Sequence, residues 1–150
     1  MDARRWIGLM ALLLLMAVMA GGCAGNQQSK RPEVDFTPVP LEEAPPELRQ
    51  YYEQTRTVPG LFVLQKDGET YLLLMAGPVS EPGLAVRVAE IRRMGKDWRV
   101  AAALLPDGEG AEYPCAVVRL KAPLNAAFKA RLTGPEGEVM ELRGMILTDR

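Results

Sequence analysis

From Val58 to the end of the chain, apolar and polar residues tend to alternate with a period of two. In WRVAAALL, one side of the segment carries Trp98, Val100, Ala102 and Leu104. A period of two places successive side chains on opposite faces of an extended strand, whereas a helix repeats about every 3.6 residues. The pattern therefore excludes a helical bundle for this part of the chain. It predicts strands that bury one face in a common core.

Turn signals divide this region into segments of strand length. The apolar runs LFVLQK and TYLLLMA flank an Asp-Gly pair in KDGE, which is a strong signal for a hairpin. GKD and GPEG mark further turns. The alternation slips at Glu90 and around Gly144, where we expect a bulge or a kink. We predict a mainly β domain over residues 57–150, a small antiparallel β-sandwich or barrel of about seven strands.

The residues before this domain are predicted to form a tether and a helix. Residues 23–45 are rich in proline and polar residues and have few apolar ones, which is typical of a flexible, disordered tether. In PPELRQYYEQTR, proline would occupy the first turn of a short helix over residues 46–56. Because Leu48, Tyr51, Tyr52 and Thr55 fall on one side of it, we expect this helix to pack on the domain. Residues 57–150 are nevertheless expected to fold alone.

The first 22 residues have the three parts of a secretory signal peptide. MDARRW supplies two arginines, an uncharged apolar stretch runs from Ile7 to Ala20, and small residues precede Cys23. The segment MAGGCAG resembles a bacterial lipoprotein signal. This resemblance implies that residues 1–22 are removed and that Cys23 becomes the N-terminus and carries a lipid. An uncleaved anchor helix is the alternative, and both predict a domain in the cell envelope, outside the cytoplasm and tied to a membrane.

The composition narrows the possible classes of function. Histidine is absent, which removes the commonest general base and metal ligand and excludes Ser-His-Asp and Cys-His catalysis. The 18 basic and 19 acidic side chains nearly balance, which gives no electrostatic footprint for nucleic acid. The sequence shows no glycine-rich phosphate loop and no calcium loop. We therefore expect no catalytic, metal-binding or cofactor-binding residues and no binding to nucleic acid.

The second cysteine, Cys115, is left without a partner if Cys23 carries a lipid. It lies in YPCAVVRLK, where alanine and two valines follow it. One interpretation is a reactive or intermolecular thiol, and the other is a buried cysteine that acts as a small apolar residue. The apolar surroundings and the absence of histidine favour the second interpretation.

Several motifs follow one another in a recognisable order. PPELRQYY precedes GLFVLQKDGETYLLLMAG, LAVRVAEIRR, WRVAAALL and, after a loop, YPCAVVRLK. Over residues 60–121 this order resembles the C-terminal domain of the PrcB family, accessory lipoproteins of bacterial protease complexes. In that family a tyrosine-proline pair begins a strand, as Tyr113-Pro114 would here, whereas the family's tyrosine-containing glycine-rich turn is replaced by SEPGLAV. The resemblance implies a non-catalytic partner of an exported protease.

Three functions remain open at this point. The leading one is a membrane-tethered lipoprotein that binds and stabilises an exported protein, expected to be a protease, by adding a strand to a sheet edge. The alternatives are a protease inhibitor or a peptide- or small-ligand-binding domain of the envelope, and a structural envelope protein. Trp98, Tyr113 and Pro114 are the candidate partner contacts, although aromatic residues more often pack in a core.

Overall fold

The alternating segments of the sequence all lie in strands. The computed structural model describes residues 33–107 and 109–147, so residues 1–22, Cys23 and the tether up to residue 32 lie outside the described residues. The elements are β1 (Phe36–Val39), a 3-10 turn (Leu41–Glu43), helix α1 (Pro46–Thr55), β2 (Gly60–Lys66), β3 (Glu69–Met75), β4 (Leu84–Met94), β5 (Asp97–Pro106), β6 (Cys115–Leu120), β7 (Ala127–Thr133) and β8 (Val139–Leu147).

These strands form one mixed sheet in the order β1-β6-β3-β2-β8-β7-β5-β4, nearly closed into a barrel. The mainly β prediction is confirmed, with eight strands instead of about seven. The antiparallel expectation is corrected for two pairs, because β2 and β8 run parallel, as do β5 and β7. Strand β6 lies between β5 and β7 in the sequence, but in the sheet it pairs with β1 and β3. The chain therefore crosses to β6 and back before β7 pairs with β5, and these two strands run parallel.

The segment that begins at Glu33 connects the two ends of the sheet. Strand β1 pairs antiparallel with β6, and just before it Glu33 bridges to Arg92 of β4. The amide of Val34 donates to the carbonyl of Ile91 at 2.8 Å. The tether predicted for residues 23–45 is therefore wrong for residues 33–45. Val34 and Phe36, two positions apart, both pack on the barrel core, and this burial holds the segment in place.

The core has two parts, one inside the barrel and one beneath the helix. In β2, Leu61 and Val63 face the interior, whereas Phe62 and Leu64 pack under α1. This is why the LFVL run is apolar without alternation, as expected of a strand buried on both faces. The predicted helix is confirmed, and its Leu48 and Tyr52 are buried against β2, β3 and β6.

The predicted turns and irregularities occur where the sequence signals them. Asp67 and Gly68 both have positive φ, 53° and 76°, the conformation of the tight turn that favours an Asp-Gly pair. The register of β4 with β5 shifts between Val88 and Glu90, which confirms the predicted bulge. Within residues 33–107 and 109–147, no helix is long and apolar enough to cross a membrane.

Candidate partner-binding site

Trp98, one of the predicted partner contacts, lies in the barrel core. Its side chain is 4% exposed, and its ring centroid lies 5.6 Å from that of Phe128. The indole Nε1 is buried and has no hydrogen-bond acceptor among the residues that the structure describes. The guanidinium of Arg93 lies 5.9 Å from the indole centroid. The assignment of Trp98 as a partner contact is therefore corrected to core packing, because the alternation of β5 turns the indole inward.

Tyr113 and Pro114 hold the loop before β6 against the end of α1. The Tyr52 hydroxyl donates to the carbonyl oxygen of Tyr113 at 2.8 Å, and burial raises the pKa of Tyr52. The amide of Ala76 donates to the carbonyl of Pro114 at 3.1 Å, and the Arg56 guanidinium lies 5.0 Å from the Tyr113 ring centroid. Pro114 is buried and therefore packs the fold. Tyr113 is half-buried, and its contact with a partner stays a prediction.

Cys115 is a half-buried cysteine next to the helix-side core, and it forms no disulfide within residues 33–107 and 109–147. Burial raises the pKa of its thiol to about 11, so little of the nucleophilic thiolate forms at neutral pH. Among the described residues, no group of three or more cysteine, aspartate or glutamate side chains is placed to hold a metal ion. The thiol therefore has the surroundings of a packing residue.

Strand β8 changes its neighbour at Gly144. Its residues 139–143 pair antiparallel with β7, whereas residues 144–147 pair parallel with β2. A Cβ at position 144 would lie 3.0 Å from both the Cβ and the carbonyl oxygen of Phe128, and 3.2 Å from Cγ2 of Val63. Glycine permits this close approach of three strands. The slip in alternation around Gly144 thus coincides with the transfer of β8 from one neighbour to another.

A groove of about 410 Å³ opens where β8 leaves β7. The pairing with β8 covers Lys129–Thr133 of β7, so Ala127 and Phe128 precede the paired part of the strand. The lining is mostly apolar, with two cations and one amide, and consists of Val63, Asn125, Ala126, Ala127, Phe128, Lys129, Arg143, Gly144 and Ile146.

Two large apolar side chains beside this groove are exposed to solvent. Met145 is 57% exposed and Ile146 is 59% exposed. In the register with β2, Ile146 lies opposite Val63 and lines the groove, whereas Met145 lies opposite Phe62 on the helix side. The Tyr51 hydroxyl donates to Sδ of Met145 at 3.8 Å. The end of β8 therefore presents apolar surface on both faces of the sheet.

The groove also has backbone available for strand pairing. In the part of the chain that the structure describes, no strand pairs with the β7-facing edge of residues 145–147 or with the β8-facing edge of Ala127–Phe128. An extended segment of another protein that lies between these two edges would pair with backbone on one or both sides. Val63, Phe128 and Ile146 would then contact its alternate side chains.

This site was not among the contacts predicted from the sequence. The run MIL at positions 145–147 is typical of a buried strand, and its exposure depends on which strands flank it in the folded sheet. The slip at Gly144 was the only signal of the groove, and it indicates a distortion without specifying an opening. No protein-family model, curated protein or solved structure matches this chain.

Proposed function

We propose that this protein is a non-catalytic, membrane-tethered lipoprotein whose β-domain binds and stabilises an exported protein, with a protease as the leading partner. The observation that carries the binding role is the groove lined by Ile146, next to unpaired strand edges. Contiguous exposed apolar surface on a small domain commonly marks an interaction site. The leader sequence up to Cys23 supports the tether, and the PrcB-like order of motifs supports the protease.

The groove also indicates a binding mode for the partner. An extended apolar segment of the partner would lie between β7 and β8 and bury Ile146, whose side chain is otherwise largely in water. Lys129 and Arg143, which complete the lining, would favour a segment that carries an acidic residue beside its apolar ones. Burying apolar side chains that are now solvated supplies the main driving force.

A second candidate is a peptide- or small-ligand-binding domain of the envelope, including a protease inhibitor. The volume of the groove, about 410 Å³, lies in the usual range for ligand pockets. In this case a short peptide or an apolar small molecule would occupy the site that the leading proposal assigns to a segment of a larger partner.

A deletion strain complemented with matched variants tests the binding role. Wild-type protein, Ile146→Glu and Val139→Glu should be expressed to equal levels, and the abundance of exported proteases should be measured. Val139 is an apolar β8 residue that is 49% exposed and does not line the groove, so its variant is the control. We expect deletion to lower the amount of a protease, and wild type and Val139→Glu, but not Ile146→Glu, to restore it.

Other results would contradict the leading proposal. A gain of proteolytic activity on deletion would indicate an inhibitor instead, and restoration by Ile146→Glu would exclude the groove. The tether has its own test, because Cys23→Ser should abolish incorporation of labelled fatty acid and leave an unprocessed precursor, whereas Cys115→Ser should be labelled normally. Unchanged labelling of Cys23→Ser would leave the anchor-helix alternative.

A further inference from the structure

The register of four neighbouring strands aligns four cations on the outer face of the barrel. Arg92 of β4 lies opposite Arg99 of β5, Arg99 lies opposite Lys129 of β7, and Lys129 lies opposite Arg143 of β8. All four side chains are exposed and line one shallow concavity of about 480 Å³. We call Arg92, Arg99, Lys129 and Arg143 the cationic row.

The cationic row is only partly neutralised. Arg92 forms an ion pair with Glu90 at 2.7 Å, and Lys129 forms one with Asp97 at 3.3 Å. Arg99 and Arg143 make no ion pair with any described residue. Like charges directly opposite each other on adjacent strands repel and destabilise a sheet. A row of four such cations therefore lowers stability unless an anionic ligand accompanies it.

The charges around the row restrict the shape of that ligand. Adjacent strands lie about 4.8 Å apart, so the row is a line roughly 14 Å long that crosses the strands. The neighbouring cross-strand positions contain Glu90 and Glu141 on one side, where Arg131 lies 3.8 Å from Glu141, and Asp97 on the other. A broad anionic surface would face these acids as well, whereas a narrow chain that follows the row would avoid them.

We propose that the cationic row binds a linear polyanion of the polyol phosphate class, in which phosphodiester groups alternate with hydroxyl-bearing units. Guanidinium groups form paired hydrogen bonds to phosphate oxygens, and three of the four cations are arginines. The residues that line the concavity include no aromatic side chain on which a base would stack. Strands β5 and β7, at the centre of the row, are paired on both sides and offer no free strand edge to an acidic peptide.

Binding of a fluorescent glycerol phosphate oligomer to the full chain in non-ionic detergent tests this inference. We expect binding that weakens as salt rises, because ions are released from the polyanion. Arg99→Gln and Arg143→Gln should each weaken binding about fivefold, the usual effect of one cation near an anionic surface. Arg119→Gln, at an exposed position on β6 with no ion pair to a described residue, carries the same charge change and should bind as wild type.

Thermal unfolding of the same variants separates a binding role from a structural one. Arg99→Gln should melt at or slightly above the wild-type temperature, because it removes repulsion within the row. Lys129 and Arg143 line both the concavity and the groove beside Ile146, whereas Arg99 lines only the concavity. Arg99→Gln should therefore weaken binding of the oligomer but restore the protease in the deletion strain as wild type does. Polyanion binding by the cationic row can thus fail while partner binding by the groove holds, and partner binding can fail while polyanion binding holds.

Four outcomes would overturn the proposal. These are no binding of the oligomer at low salt, equal weakening by Arg119→Gln, equally tight binding of a polyuronate, and competition by phosphatidylglycerol in the micelles at equal charge. The last result would assign the face to an anionic membrane surface.

Discussion

At the scale of single residues, Val86 tests which face of β4 is buried. Its side chain is 7% exposed and belongs to the barrel core. Val86→Asp would place an unpaired carboxylate in that core, and we expect a loss of about 3 kcal/mol or more in the free energy of unfolding. Chemical denaturation measures this loss. Val139→Asp, the same change at an exposed strand position, should remain within about 0.5 kcal/mol of wild type.

Equal stability of Val86→Asp and wild type would mean that Val86 faces water and that the strand phase is off by one.

Cys115 gives a pH-dependent readout of its surroundings. Burial raises the pKa of its thiol from 9.0 to about 11, so alkylation of the native protein should be slow near neutral pH and should accelerate only toward pH 11. The raised pKa of this thiol also makes the stability of the native state depend on pH. A raised pKa stabilises the native state below pH 9, and that contribution is lost as the pH rises toward 11.

Iodoacetamide labelling followed by mass spectrometry, with the unfolded protein as the reference, measures the alkylation rate. Native and unfolded rates that are equal at pH 8 would show that the thiol is not shielded.

At the scale of elements, Gly144 allows β8 to pass from β7 to β2. Gly144→Ala would place a Cβ 3.0 Å from the backbone oxygen and the Cβ of Phe128, neither of which moves without the strand. We expect a loss of about 1–3 kcal/mol in the free energy of unfolding, typical of overpacking. Arg143→Ala, which truncates the exposed side chain next to it, should change that free energy much less.

An unchanged denaturation midpoint for Gly144→Ala would mean that the strands separate there without strain.

The elements also show what sequence patterns predict and what they leave open. The strands β4, β5 and β7 were predictable, because each buries one face and alternates accordingly. Strand β1 was not, since its FTPV sequence contains Pro38 and is followed by Pro40, and its pairing depends on β6, which lies far along the chain. The cationic row was equally hidden, because its four residues meet only through the register of four strands.

At the scale of the whole molecule, the folding unit includes the residues before the predicted domain boundary. Residues 31–150 form one compact unit, in which α1 covers the helix-side core and β1 covers the edge of β6. A fragment of residues 57–150 would expose Phe62, Leu73 and Val117, which α1 and β1 now shield. We therefore expect residues 31–150 to fold and residues 57–150 to aggregate or remain unfolded.

Circular dichroism and analytical ultracentrifugation of the two fragments test this expectation. If the fragment of residues 57–150 is monomeric and rich in strand, the domain begins at residue 57, as predicted from the sequence.

The closure of the barrel also constrains the order of events when the chain folds. Strand β1 pairs with β6, and β2 pairs with β8, roughly eighty residues further along the chain in each case. Such distant pairings require large loops to close, and the conformational entropy of those loops is lost before any stabilising contact forms. This slows folding to milliseconds or longer. A chain that emerges N-terminus first therefore exposes the edges of β1 and β2 until β6 and β8 have followed. During that interval the nascent chain depends on chaperones or on rapid completion to avoid pairing with other chains.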